Sequence, residues 1–220
     1  VKETTGMFIV LTSGSFYSNT GHARAEVARF AVNSLVTRGI PTSRIQYLTP
    51  DYATSQQPAF ATGHANTENL VHAIQEWAPN MVDTRTNLSG KKTPLTVILI
   101  GHGFQDVIYT QDNDIITSQE LDAALDTFGI NAMSRFAEAS VTPLHPNMVP
   151  VNIVLEANKS GSFIDELTGA NRFIFASTDY AQDPNGYSNL DSNGQLSFTY
   201  QFMAQLASNQ TLAQAFTGAS

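Results

Sequence analysis

The sequence predicts an α/β fold, a three-layer αβα sandwich on a mostly parallel sheet, formed by residues 1–220 as a single domain. Three observations predict it. Short continuous apolar runs recur along the chain: MFIVL at 7–11, LTVILI at 95–100, VNIVL at 151–155. Each stops in turn-forming residues, the pattern of parallel strands buried on both faces. Between the runs lie stretches with apolar residues at helical spacing, and strand–helix alternation implies helices on both faces of one sheet.

The elements follow in order. The first strand ends in Thr12-Ser13-Gly14-Ser15. Over 23–37, Val27, Phe30, Ala31, Ser34 and Leu35 make one semi-apolar stripe, and Gly39 with Pro41 closes that helix. IQYL at 45–48 reads as the second strand. Asn66 and Thr67 suit the cap of a helix reaching about 77, with Leu70, Val71, Ile74 and Trp77 on one face. LTVILI breaks into Gly101-His102-Gly103, and Thr117-Ser118-Gln119-Glu120 is a capping box before a helix through Leu121, Ala124, Leu125 and Phe128. VNIVL runs into Glu156-Ala157-Asn158-Lys159-Ser160-Gly161-Ser162-Phe163. A short helix, RFIFA at 172–176 and an apolar helix near 198–206 complete the chain. Trp77 and the phenylalanines are expected in the core. No internal repeat or low-complexity tract interrupts the pattern.

Composition narrows the function classes. Hydrophobic residues at 42% against 14% charged supply a sizeable core and exclude a disordered chain. Net charge is −8, from 11 Lys+Arg against 19 Asp+Glu, with no long basic run, so nucleic acid is not expected as a partner. There is no cysteine, which rules out disulfides, thiolate metal sites and a cysteine nucleophile. The histidines at 22, 64, 72 and 145 lack metal-ligand spacing, His72 is expected to face solvent, and no cofactor is implied. Asp112-Asn113-Asp114 and Asp191-Ser192-Asn193-Gly194 lack the distal Glu of a calcium loop and read as polar turns. Gly90-Lys91-Lys92-Thr93 precedes a strand rather than opening a helix, which rejects a phosphate loop. No apolar run suits membrane insertion, and Val1 is read as the start of a processed or excised chain.

In parallel sheets, ligands sit beyond the carboxyl ends of the strands. The two loops that matter there follow LTVILI and VNIVL. A neutral imidazole at His102 is placed to act as general base, although a lone loop histidine is more often an ordinary polar side chain.

The second loop changes the weighing. A hydrophobic strand ending in His-Gly, then another ending in Glu-Ala-x-x-Ser-Gly-Ser, resembles the caspase/legumain clan of cysteine peptidases, the legumain branch most closely. Glu156, Ala157, Ser160, Gly161 and Ser162 match, and Asn158 stands where that family has cysteine. RGIP at 38–41, Asn69-Leu70 with Ala73-Ile74 and Trp77, Ile115-Ile116-Thr117 with Glu120-Leu121, RFIFASTD and LSFTYQF are similar as well, so the likeness covers nearly the whole chain. It implies a caspase/legumain-like fold with His102 as acid/base, Gly103 N–H as an oxyanion donor and Asn158 at the nucleophile position. Glu156 is implied in shaping the pocket for the residue before the cut bond. Arg24 and Ser197 are further candidates for that pocket.

An amide is no nucleophile at neutral pH. Losing the nucleophile removes a factor on the order of 10⁴–10⁶ in rate. Ser160 beside Lys159 is expected to be a turn residue and Lys159 solvated, rather than a Ser–Lys dyad. The expected function is therefore a pseudopeptidase binding peptide or protein segments, outside the cytoplasm, as part of a larger secreted bacterial protein. The alternatives are a cysteine endopeptidase carrying a Cys-to-Asn change and a structural or adhesive module. Oligomeric state stays open.

Overall fold

The computed structural model describes residues 6–14, 21–82, 93–111, 114–138, 149–179, 195, 197–208, 210 and 212–219. The motif ends at 15, 90–92, 112–113 and 191–194, and His145, lie outside the described residues.

Five strands form the central sheet. They are β1 (Met7–Thr12), β2 (Ile45–Leu48), β3 (Leu95–Ile100), β7 (Val151–Glu156) and β8 (Arg172–Ala176). Their order is β2-β1-β3-β7-β8, and every pairing is parallel. β3 and β7 are buried at every position, which explains why they carry no polar alternation. A second, antiparallel sheet is built from β4 (Gly103–Phe104), β5 (Val107–Tyr109) and β6 (Ile115–Thr117). It springs directly from the end of β3.

The helices are α1 (His22–Thr37), α2 (Thr67–His72), α3 (Ser118–Glu138), α4 (Phe163–Leu167), α5 (Phe198–Ala207) and α6 (Leu212–Ala219). α2 continues through a π turn, Ala73–Trp77, and a last α turn, Ala78–Asn80. The widened turn ends just before Pro79, which has no N–H to extend an ordinary ladder.

Side-chain parity sorts the helices into layers, because successive strand residues face opposite ways. Ile9, Leu11, Val97, Leu99, Ile153 and Leu155 pack with Leu70, Ile74, Leu121, Phe128 and Phe163. Val10, Ile98, Ile100 and Val154 pack with Val27, Ala31, Leu35, Phe202 and Met203. The result is the expected three-layer sandwich, with α2, α3 and α4 on one face and α1, α5 and α6 on the other.

The start signals work as read. Asn66 Oδ1 accepts from Asn69 N–H at 2.8 Å. Thr117 Oγ1 accepts from Glu120 N–H at 3.1 Å while Glu120 Oε2 accepts from Thr117 N–H at 3.0 Å, which closes the capping box. His72 is exposed, as expected. The phenylalanines divide: Phe128, Phe136, Phe163 and Phe202 are buried, whereas Phe60, Phe104, Phe173 and Phe216 are exposed. Phe104 and Phe173 lie on very short or edge strands, where one face has no layer over it.

Candidate functional site

β3 and β7 are hydrogen-bonded neighbours, with Ile100 level with Glu156. The loops that follow them therefore leave the sheet side by side. Gly101 N–H donates to Glu156 C=O at 2.9 Å, and Ser13 N–H donates to Ile100 C=O at 2.9 Å. The strand-end loops of β1, β3 and β7 are thus tied together at one edge.

Gly103 is the point of contact. A Cβ on it would lie 2.3 Å from Asn158 O, 2.9 Å from Ala157 Cβ and 3.3 Å from Asn158 N. Any side chain at 103 would have to displace backbone, so glycine is required by close approach. The His102–Gly103 turn and the Asn158 turn consequently form one seat.

His102 crowns that seat. Its N–H donates to Ser13 Oγ at 3.3 Å, and its C=O accepts from Tyr109 N–H at 2.8 Å. The exposed imidazole leans on the Tyr109 ring, centroids 5.6 Å apart. Partial burial, and then the Arg24 guanidinium, hold its pKa below the usual imidazole range. The ring is neutral at neutral pH and able to accept a proton.

Asn158 is 4% exposed, and its Nδ2 has no hydrogen-bond partner. A buried amide donor without an acceptor costs about 1–3 kcal/mol. Arg24, on the first turn of α1, offers a second such donor: its Nε is buried and unpartnered. It has no ion-pair partner among the described residues, and burial lowers its pKa. Gly14 admits it, since a Cβ there would come within 2.6 Å of Arg24 Cβ.

Glu156 and Ser197 come together, at the start of α5. Glu156 is 2% exposed, and its Oε2 accepts from Thr199 N–H at 2.6 Å. Ser197 Oγ accepts from Tyr200 N–H at 3.0 Å. Two orphan amides of the helix are thereby satisfied. Burial raises the Glu156 pKa, against the opposing pull of Thr199 and Ser177 beside it. Parity explains the placement, because Glu156 shares the face of Val154, toward α5.

Ser160 is a turn residue. Its Oγ accepts from Thr178 N–H at 3.1 Å, and its own N–H donates to Thr178 Oγ1 at 3.0 Å. Lys159 differs from the expectation of a solvated side chain. Its backbone is left-handed, φ 55°, and its Nζ stands 5.3 Å above the Phe104 ring, a cation–π contact. Lys159 leans to Phe104 and Ser160 to Thr178, so no dyad forms between them.

No family model matches the chain, and no curated protein matches its sequence.

Beside the seat, a cleft of about 690 Å³ opens between the β4–β5 turn and α4, lined by Gln105, Asp106, Val107, Ser162 and Ile164 among others. Asp106 N–H donates to Ser162 Oγ at 2.8 Å, which holds the two walls together. Among the described residues no group of three His, Asp or Glu side chains is placed to hold a metal. No described helix is long and apolar enough to cross a membrane.

Sequence reasoning missed Tyr109 and Thr178. Tyr109 reaches His102 only through a hairpin too short to announce itself. Thr178 follows β8, whose neighbour β7 carries the site, so strand order was the signal needed.

Proposed function

We propose that this domain is a legumain/caspase-like peptidase fold without its nucleophile, and that it binds acidic peptide or protein segments at the His102–Gly103–Asn158 seat. The supporting observation is the contact between Gly103 and the Asn158 backbone, which brings the two family-like loops to one point. Arg24 supplies the polarity: a cation with no ion-pair partner among the described residues, beside His102, favours a carboxylate. Peptide turnover is not expected, because no thiol stands where the carbonyl would be attacked.

Fluorogenic peptides with Asp, Asn, Arg or Lys before the reporter test both halves. Binding is expected to favour Asp and to weaken in Arg24→Gln, with no release of fluorophore. Cleavage that survives purification and disappears in His102→Ala would defeat the proposal. So would peptide binding indifferent to both positions.

One observation favours a second reading, that of an endopeptidase carrying an Asn for Cys change. The Asn158 amide makes no hydrogen bond through Nδ2, so the seat is not fitted to it. Asn158→Cys then yields thiol-sensitive cleavage, and a folded but inactive Cys variant removes this reading.

A further inference from the structure

One side chain bridges the two loops of the seat beyond their backbone contact. Phe104 follows Gly103, and Lys159 follows Asn158. Lys159 Nζ lies 5.3 Å from the centroid of the Phe104 ring. That ring is 54% exposed, so the contact stands at the surface, beside the seat. Among the described residues Lys159 forms no ion pair.

The backbone under this contact is unusual. Lys159 sits at φ 55°, ψ 25°, a left-handed conformation that suits glycine and costs a residue with a Cβ. The position nevertheless carries a long cation, and what that cation meets is an aromatic face. A cation–π contact at an exposed ring is weaker than a charge-assisted hydrogen bond to a carboxylate. An arriving carboxylate therefore takes Lys159 from the ring at little loss.

Topology sets this charge across from another. Arg24 lies close over Gly14, just past the end of β1, and Lys159 comes just past the end of β7. β1 and β7 are the two neighbours of β3, whose end carries His102. The two cations thus start from strand ends on either side of the histidine, two strand spacings or ~10 Å apart. Asp106, Asp165 and Glu166 line the cleft beyond, which disfavours an acidic segment there. Such a segment is better served by lying across the seat, from Arg24 to Lys159.

We propose that Lys159 is a second carboxylate-binding residue, so that the seat selects segments bearing two acidic side chains over segments bearing one. This rests on the reading of the seat as a site for acidic segments.

Fluorescence anisotropy of the whole chain with capped, reporter-labelled peptides tests it. One series carries two Asp separated by one, two or three glycines; a matched series has Ser for the second Asp. At least one paired peptide is expected to bind ~5-fold more tightly than its match, the worth of one partly exposed ion pair. Lys159→Gln should erase that gain and leave single-acid binding as it was, whereas Lys159→Arg should keep it. Lys159→Gly should erase it too without lowering the melting temperature, since glycine takes the left-handed turn freely. The inference is overturned if Lys159→Gln keeps the gain. It is also overturned if no paired peptide exceeds its match while Arg24→Gln still weakens both, a result that leaves the seat reading standing. Failure of both series to bind removes the seat reading, and this inference with it.

Discussion

His102 and Glu156 titrate in opposite senses, and each leaves a mark on stability. The His102 pKa is depressed by burial and by Arg24. Its contribution is full above the ordinary imidazole pKa and is lost as pH falls through the folded value. Arg24→Gln should therefore raise the His102 midpoint, followed through its ring proton shift. An unmoved midpoint would deny the electrostatic contact on which the acidic preference rests. Glu156 has a raised pKa, so its contribution is full below the ordinary carboxylate range and lost as pH rises through the folded value. Urea midpoints measured from pH 4 to pH 8 should decline less steeply in Glu156→Gln than in the parent. Equal slopes would mean that Glu156 is not titrating in that window. His102 and Asn158 were legible because both follow uninterrupted apolar runs, where a change to Gly or Glu marks the strand's end. The placement of Glu156 and Ser197 at a helix start was not. A pocket and a helix start both call for polar side chains, and only strand parity separates them.

At the level of elements, the caps carry measurable energy. Thr117→Ala removes half of the box at the start of α3 and should cost about 1 kcal/mol, read as a shift in urea midpoint with unchanged slope. A shift below a few tenths would mean the first turn frays in the parent. β1, β3 and β7 were readable because strands covered on both faces are continuous apolar runs, and the edge strands β2 and β8 as shorter, mostly apolar runs bounded by turn residues. β4, β5 and β6 were not, because two or three residues are too short to show alternation. The π turn in α2 was equally hidden: Leu70, Ile74 and Trp77 satisfy helical spacing with or without the extra residue. α6 (LAQAFTGA) does carry a start signal, Thr211 with Gln214 three residues on, but its eight residues follow so closely on α5 that the pattern reads as one C-terminal apolar stretch.

Across the whole molecule, both helix layers share one sheet, so neither can melt and leave the other intact. Unfolding should be a single transition, with near-ultraviolet signal from Trp77 and the tyrosines coinciding with far-ultraviolet loss. Leu99→Ala, fully buried near the end of β3, should lower stability by about 2–5 kcal/mol. Separate transitions for the two probes would show the layers to be independent. The layering itself was legible because alternation of strands and helices leaves few other arrangements. Helix α1 carries Arg24 on its first turn, beside His102, while Val27, Ala31 and Leu35 of the same rod are sunk in the core with Val10 and Ile98. The cation at the seat is thus moored to the sheet through the helix that bears it, and cutting back those apolar residues would set the charge adrift without touching it.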